Sequence, residues 1–205
     1  MRHLLESLIV LAMCALPARA TTLYTTFGPG QAFGSGGYTV EDNLGWASQF
    51  QTTSTGAVGS IDLPLLLQGG AMTVTVVIAA DSAGSPGAAL ETFSINNLPA
   101  TPTVESAISA LNPVLTAGTP YWFEVIGKGP NPGTDIGQWY DTSLSTTQTI
   151  DITNNGGATW SVFSAGEPVA AFDVVSQVPE PGTCGAIIVG SILILSGRRR
   201  DSASR

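Results

Sequence analysis

The chain has 205 residues, of which 43% are hydrophobic and 11% charged, and its formal net charge is −8. Residues 21–181 contain thirteen acidic residues and a single basic one, Lys128, so their formal net charge is −12. This charge excludes nucleic acid as a partner, because phosphate binding requires clustered lysine and arginine. The only histidine and both cysteines lie outside this stretch, which excludes from it disulfides, zinc sites built from His or Cys, cysteine nucleophiles and histidine-based triads.

The first twenty residues are typical of a secretory signal peptide. Arg2 and His3 precede an apolar stretch from Leu4 to Leu16, and Ala18 and Ala20 are small residues at the two positions that signal peptidase reads. We therefore predict a signal helix over residues 1–20, cut after Ala20 by signal peptidase. The alternative is a buried N-terminal helix.

Residues 21–177 predict one all-β domain, an antiparallel β-sandwich of the jelly-roll-like kind. Glycine and proline recur about every ten residues and separate short runs rich in Val, Ile, Thr and aromatic residues. In residues 71–79 the alternation places one apolar set on the core face: Met72, Val74, Val76 and Ile78. Residues 61–67 alternate in the same way, and Pro64 predicts an edge position or a bulge.

The rest of this domain is predicted from similar signals. Residues 120–127 carry aromatic side chains on both faces, which indicates a central strand. The tetrapeptide Asn-Asn-Gly-Gly at 154–157 predicts a hairpin turn, and residues 168–175 predict the last strand. Residues 101–115 are expected to include a helical turn around 105–111, kept short by the prolines that bracket it.

The order of six short motifs along the domain resembles a known family of secreted domains. These are LYTTFGPG, GWASQF, SIDLPL, DSAGSPGAALETF, INNLPA and LTAGTPYWFEV, which lie between residues 22 and 175. Their order is similar to that of the choice-of-anchor domains, and most like the type R group. The resemblance implies a β-sandwich that precedes a surface anchor in the chain, and it implies no reaction and no ligand.

The domain offers few candidates for chemistry, and we predict that it is not an enzyme. A glycosidase would need two carboxyl groups facing one cleft, and candidates such as Glu124 and Asp173 are not fixed as a pair by any motif. The loop that starts at Asp81 offers oxygen ligands for Ca²⁺, although a plain turn explains it better. We therefore predict no cofactor, with Asp81 as a weak calcium candidate.

Aromatic residues suggest a carbohydrate-binding module as the alternative function. Five aromatic residues could stack on sugar rings, namely Trp46, Trp122, Trp139, Tyr140 and Trp160. In a sandwich without disulfides such residues more often belong to the core or to cross-strand pairs. Trp139 and Tyr140 lie in a segment rich in Gly, Asn and Asp, and we expect this pair to be exposed and available to a ligand.

The C-terminal end combines an apolar segment with a basic cluster. Residues 182–197 would form a helix about 24 Å long, somewhat short of a hydrocarbon core of about 30 Å. Its membrane contacts are expected from apolar residues that include Ile187, Ile188, Leu193 and Leu195. Arg198, Arg199 and Arg200, within the basic end 198–205, are expected to stay in the cytoplasm. We predict a transmembrane helix that holds the chain in the inner membrane transiently.

Immediately before this segment, residues 178–181 read Val-Pro-Glu-Pro. Together with the apolar segment and the arginines, Pro179, Glu180 and Pro181 make a tail that resembles the PEP-CTERM sorting signal. The resemblance implies processing near these residues by an exosortase in a Gram-negative bacterium that makes exopolysaccharide. The mature protein would then lie at the cell surface or outside the cell. The alternative is a single-pass membrane protein with a proline-rich stalk.

Overall fold

The structure is a computed structural model and describes residues 19–178. One compact unit, Thr21–Gln177, contains all of its regular structure, which consists of strands without any helix in the described part. The strands, in chain order, are β1 (Thr22–Thr25), β2 (Phe33–Val40), β3 (Gly45–Gln51), β4 (Gly56–Gly69), β5 (Thr73–Asp81), β6 (Pro86–Asn96), β7 (Thr103–Ile108), β8 (Val114–Leu115), β9 (Pro120–Lys128), β10 (Ile136–Thr142), β11 (Thr147–Thr153), β12 (Ser161–Pro168) and β13 (Asp173–Ser176).

The strands form two antiparallel sheets, which confirms the all-β prediction and is consistent with a β-sandwich. The seven-stranded sheet has the order β1-β13-β4-β10-β2, with β7 and β8 also paired to β4. The six-stranded sheet has the order β12-β11-β3-β9-β5-β6. β9 therefore lies in the middle of its sheet, as the aromatic residues on both of its faces predicted.

One large apolar cluster unites the two sheets. The alternation predicted for β5 is confirmed, because Met72, Val74, Val76 and Ile78 are all buried in this cluster. Ile61, Leu63 and Leu65 of β4 join it from the other sheet. At its centre the rings of Phe123 and Phe172 stack with their centroids 4.1 Å apart. Burial of these alternating faces drives the two sheets together.

One local prediction holds only at the residue itself, and another is wrong. β4 as a whole is not an edge strand, since it pairs with β13 over residues 58–62, with β10 over 65–69 and with β7 over 60–65, but Pro64 is paired on the β7 side alone. Pro64 lies where β13 has ended and β10 has not begun, so its missing N–H costs no ladder bond there. Residues 105–111 contain no helical turn, because the register with β4 extends residues 103–108 as a strand.

The hairpin turn at 154–157 is confirmed, and it joins β11 to β12. Gly156 and Gly157 have φ angles of 69° and 87°, a region that favours glycine. The last predicted strand is shorter than expected. β13 covers Asp173–Ser176, while residues 169–172 cross over as irregular chain with a single bridge from Ala170 to Asp141.

Candidate functional site

The residues predicted to process the chain mostly lie outside the described part. Ala18, Pro179, Glu180, Pro181 and the named residues of the apolar and basic tail belong to that group, so these predictions stay predictions. Ala20 is exposed and lies just before the first strand. Among residues 19–178 there is no helix of the length and apolarity that a membrane crossing needs.

The prediction that Trp139 and Tyr140 are exposed is wrong. Trp139 is 0% exposed and Tyr140 7% exposed, because β10 is paired with β2 on one side and β4 on the other. The Trp139 indole packs near Phe123 and Phe172, and its Nε1 donates a hydrogen bond to the Ala171 carbonyl at 2.9 Å. This pair belongs to the core.

Asp81 caps the turn between β5 and β6. Its Oδ1 accepts hydrogen bonds from Trp122 Nε1 at 2.8 Å and Gln49 Nε2 at 2.9 Å, and its Oδ2 accepts one from the Gly84 N–H at 3.1 Å. The bond from Trp122, followed by that from Gly84, lowers the pKa of the Asp81 carboxyl. These donors give Asp81 a structural role. Within residues 19–178 no three acidic, His or Cys side chains gather as a metal site would require.

The outer face of the six-stranded sheet carries a second, smaller apolar cluster. We call the side of this sheet that points away from the core the outer face. It buries Ala47, Val77, Ala79 and Trp122, and the half-buried Trp160 packs against them. Trp160 reaches this face because the turn at Gly156 and Gly157 folds back over the sheet. β5 is therefore apolar on part of its outer face as well as on its core face.

Two acidic residues share one row across this outer face. Asp151 on β11 is paired with Ala47 on β3, and Ala47 is paired with Glu124 on β9. Neighbouring strands lie about 4.8 Å apart, so the two acidic residues are separated by about 10 Å of backbone across the small alanine. The sheet therefore brings together two acids that are distant in the sequence.

Both of these carboxyl groups are buried. Glu124 is 5% exposed, and burial raises its pKa from 4.5 to about 7. Asp151 is 1% exposed, neither of its carboxyl oxygens has a hydrogen-bond partner, and burial raises its pKa as well. Glu124 is therefore able to donate a hydrogen bond through its protonated carboxyl near neutral pH.

Glu124 and Trp160 line a cleft of about 460 Å³ on the outer face. Gly157 forms part of its wall, and a Cβ there would lie 3.9 Å from Glu124 Oε2. Hydroxyl groups surround the remaining rim: Thr75, Ser85, Thr92 and Thr159. An indole ring, a protonatable carboxyl and several hydroxyls are groups that can stack on and hydrogen-bond to a neutral, hydroxyl-rich ligand.

Glu124 and Asp173 are not brought together. Asp173 belongs to β13 in the other sheet, where it is paired with Asp62 and flanked by the core residue Val174. Burial raises the pKa of Asp173, a hydrogen bond with Thr25 lowers it by a smaller amount, and the charge of Asp62 raises it further. The two candidate acids therefore lie on different sheets and do not face a shared cleft.

The sequence interpretation included Trp160 among five aromatic candidates but favoured Trp139 and Tyr140 over it, and it missed that Asp151 and Glu124 share a row of the sheet. The available signal was the alternation in β9, which places Glu124 between Trp122 and Ile126 on one face. A second signal was the position of Trp160 directly after a glycine-rich hairpin turn.

No family model matches the chain, and no curated protein matches it. Two solved structures show a weak likeness. The infectious bursal disease virus VP2 subviral particle is 15% identical, with a TM-score of 0.27 over 89% of this chain and 49% of that chain. The infectious bursal disease virus Gt strain is 16% identical, with a TM-score of 0.28 over 92% and 51%. The chain thus spans about half the length of these viral chains, and likeness at this level carries no argument about function.

Proposed function

We propose that the protein is an exported, non-enzymatic component of the cell surface or extracellular matrix, sorted by an exosortase through its C-terminal tail and associated with exopolysaccharide. The observation that supports this proposal is the extent of the compact unit, Thr21–Gln177. It begins directly after the expected signal-peptidase cut and ends directly before the Val-Pro-Glu-Pro motif. In this proposal the domain is a jelly-roll-like sandwich, preceded by a signal helix and followed by a transmembrane helix over 182–197.

The two ends of the compact unit lie side by side. The Thr21 N–H donates a hydrogen bond to Ser176 Oγ at 2.8 Å, and the Ser176 N–H donates one to the Thr21 carbonyl at 2.7 Å. Removal of the signal and of the tail would therefore occur next to each other on a finished domain. Its acidic surface keeps the released domain soluble and away from anionic membranes.

The test is an intact-mass measurement of the protein from its native host, made separately on membrane, surface and medium fractions. We expect a product that starts at Thr21, ends near Pro181 and lies outside the membrane fraction. A variant with Pro179→Ala, Glu180→Ala and Pro181→Ala should remain in the membrane at full tail length. A wild-type protein that keeps Arg205 in the membrane fraction would show a simple anchored protein.

A second candidate function is glycan binding at the outer-face cleft. The supporting observation is the combination of Trp160, half-buried and available for stacking, with the protonatable Glu124 beside it. The host's own exopolysaccharide is the ligand this proposal names, because the domain would be delivered into it.

Trp160→Ala tests this second function by affinity electrophoresis in gels that contain the host polysaccharide. We expect the affinity to fall about tenfold, since the stacking ring is removed. Phe163→Ala is the matched control, because Phe163 lies on the same hairpin and is 52% exposed but contacts Trp46 rather than the cleft. Equal retardation of the Trp160 variant and the wild type would remove the cleft from consideration.

A further inference from the structure

Three large aliphatic side chains project into solvent from one short segment. Ile108 is 83% exposed, Leu111 71% and Val114 63%. They lie on the connection from β7 to β8, residues 108–114, which we call the aliphatic loop. Single exposed apolar residues are ordinary, but three within seven residues form the kind of exposed apolar group that marks interaction surfaces.

The aliphatic loop is held rigidly from below by a buried acid. Glu91 of β6 is 4% exposed, and its carboxylate accepts hydrogen bonds from Ser109 Oγ and from the N–H groups of Ala110 at 2.6 Å and Leu111 at 3.1 Å. Asn112 Nδ2 donates a further bond to the Val58 carbonyl at 2.9 Å. These bonds fix the backbone of the loop while its aliphatic side chains stay outside.

The chain segments that carry and flank the aliphatic loop contain no charged residue, and the carboxyl groups beside them are those of Glu91 and the half-buried Glu105, which line a pocket with Ile108 and Ala110. Residues 52–61 and 106–123 contain no acidic and no basic residue, although the domain as a whole carries −12. The two segments are joined by backbone contacts, with the Gly118 N–H donating to the Thr52 carbonyl at 3.0 Å and Leu115 paired with Gly56. This part of an otherwise acidic domain is thus aliphatic and has no charged residue in its own two segments, with Glu91 and Glu105 at its border.

The chain leaves the compact unit beside this region. The Gln177 N–H donates a hydrogen bond to the Ala57 carbonyl at 2.8 Å, and Ala57 is paired with Val114. Gly59, whose carbonyl accepts the Ser109 N–H, packs so closely on Gln177 that a Cβ there would lie 2.7 Å from its Cα. The apolar segment 182–197 begins five residues after Gln177, a distance of about 17 Å at full extension.

We propose that the aliphatic loop docks onto the surface of the lipid bilayer that holds the tail of the precursor. This inference rests on the proposed function, because it requires that residues 182–197 enter the membrane. Ile108, Leu111 and Val114 enter the interface between headgroups and acyl chains. The desolvation of charge is small, because residues 106–123 carry none and the Glu91 carboxylate is already buried and hydrogen-bonded to the loop. Docking fixes the orientation of the domain and holds Pro179–Pro181 at the bilayer surface.

The experiment places the full chain in nanodiscs of zwitterionic phosphatidylcholine and measures an environment-sensitive fluorophore on single cysteines. One variant carries Leu111→Cys in a chain with Cys14→Ser and Cys184→Ser. The matched control carries Val162→Cys, a residue of β12 that is 63% exposed, far from the aliphatic loop in the sheet order. A third sample, Cys14→Ser alone, is labelled at Cys184 within the tail. Near-UV circular dichroism checks that each variant is folded.

We expect brominated lipid to quench the labels at positions 111 and 184 at least twofold and to leave the label at 162 unchanged. Quenching at 184 without quenching at 111 would overturn docking while leaving the membrane tail intact. Absence of quenching at 184 would overturn the membrane tail, and docking with it. Energy transfer between copies at position 111, without lipid quenching, would assign the loop to a second copy of the chain and would also overturn the proposal.

Discussion

Replacing Glu124 by glutamine is expected to remove part of the pH dependence of the domain's stability. Glu124 is 5% exposed, and burial raises its pKa from 4.5 to about 7. Between these two pH values the folded state binds more protons than the unfolded state. The stability associated with the neutral carboxyl is therefore fully present below pH 4.5 and is lost as the pH rises through about 7.

The magnitude follows from the size of this pKa difference. One pKa unit corresponds to about 1.4 kcal/mol, so moving from 4.5 to about 7 corresponds to about 3 kcal/mol. Because Glu124 borders a cleft that admits water, we expect a measured value of about 2–3 kcal/mol. Asp141, Asp151 and Asp173 also have pKa values raised by burial, so the glutamine variant should keep some of the pH dependence.

Urea unfolding measured at several pH values from 4.5 to 8.5 provides the assay. The free energy of unfolding of Glu124→Gln minus that of the wild type should increase across this range by about 2–3 kcal/mol. Glu105→Gln is the matched control and should follow the wild-type curve, since Glu124 is still present. Parallel curves for Glu124→Gln and the wild type would refute the reasoning, because they would mean that Glu124 ionises alike in the folded and unfolded states.

Two further predictions concern the packing of β10. Trp139→Ala should lower the free energy of unfolding by about 3–5 kcal/mol, measured by urea unfolding, because its ring is fully buried; Trp139→Phe should cost clearly less, and equal losses would contradict a packing role. Gly37→Ala should lower the melting temperature by about 5 °C or more, because the new Cβ would lie 2.3 Å from the Trp139 carbonyl oxygen. Gly36→Ala is the control, since the nearest atom there belongs to the movable Asp141 carboxyl. Equal melting temperatures for the two alanine variants would count against this contact.

Strands with a regular apolar alternation could be predicted from the sequence, whereas a strand that is buried only because of its neighbouring strands could not. The alternation in β5 and β9 follows from residues within each strand, so a local pattern was sufficient to predict it. Trp139 lies among glycine and polar residues that resemble a loop, yet β10 is paired on both sides. Trp139 is buried because β2 and β4 flank β10, and the residues near Trp139 in the sequence do not indicate this pairing.

The outer-face cleft was missed for a related reason. Glu124 and Asp151 share a row only because β3 lies between their strands with Ala47 in register. Register is set by the complete sheet, so the sequence offered acidic candidates without a means to pair them. The same holds for Glu91, whose carboxylate organises a loop that follows it in the chain by almost twenty residues.

The place of β13 in its sheet determines when the domain can finish folding. β13 lies between β1 and β4, and it is the only strand in the described part that pairs with β1. In the export proposed above, which starts at the N-terminus, this strand would cross the membrane last. Until residues 173–176 arrive, β1 has no paired strand, and residues 58–62 of β4 lack one of their strand partners. The sheet would then be completed only after the whole domain has been translocated. The tail would become accessible for cutting when the domain is already folded.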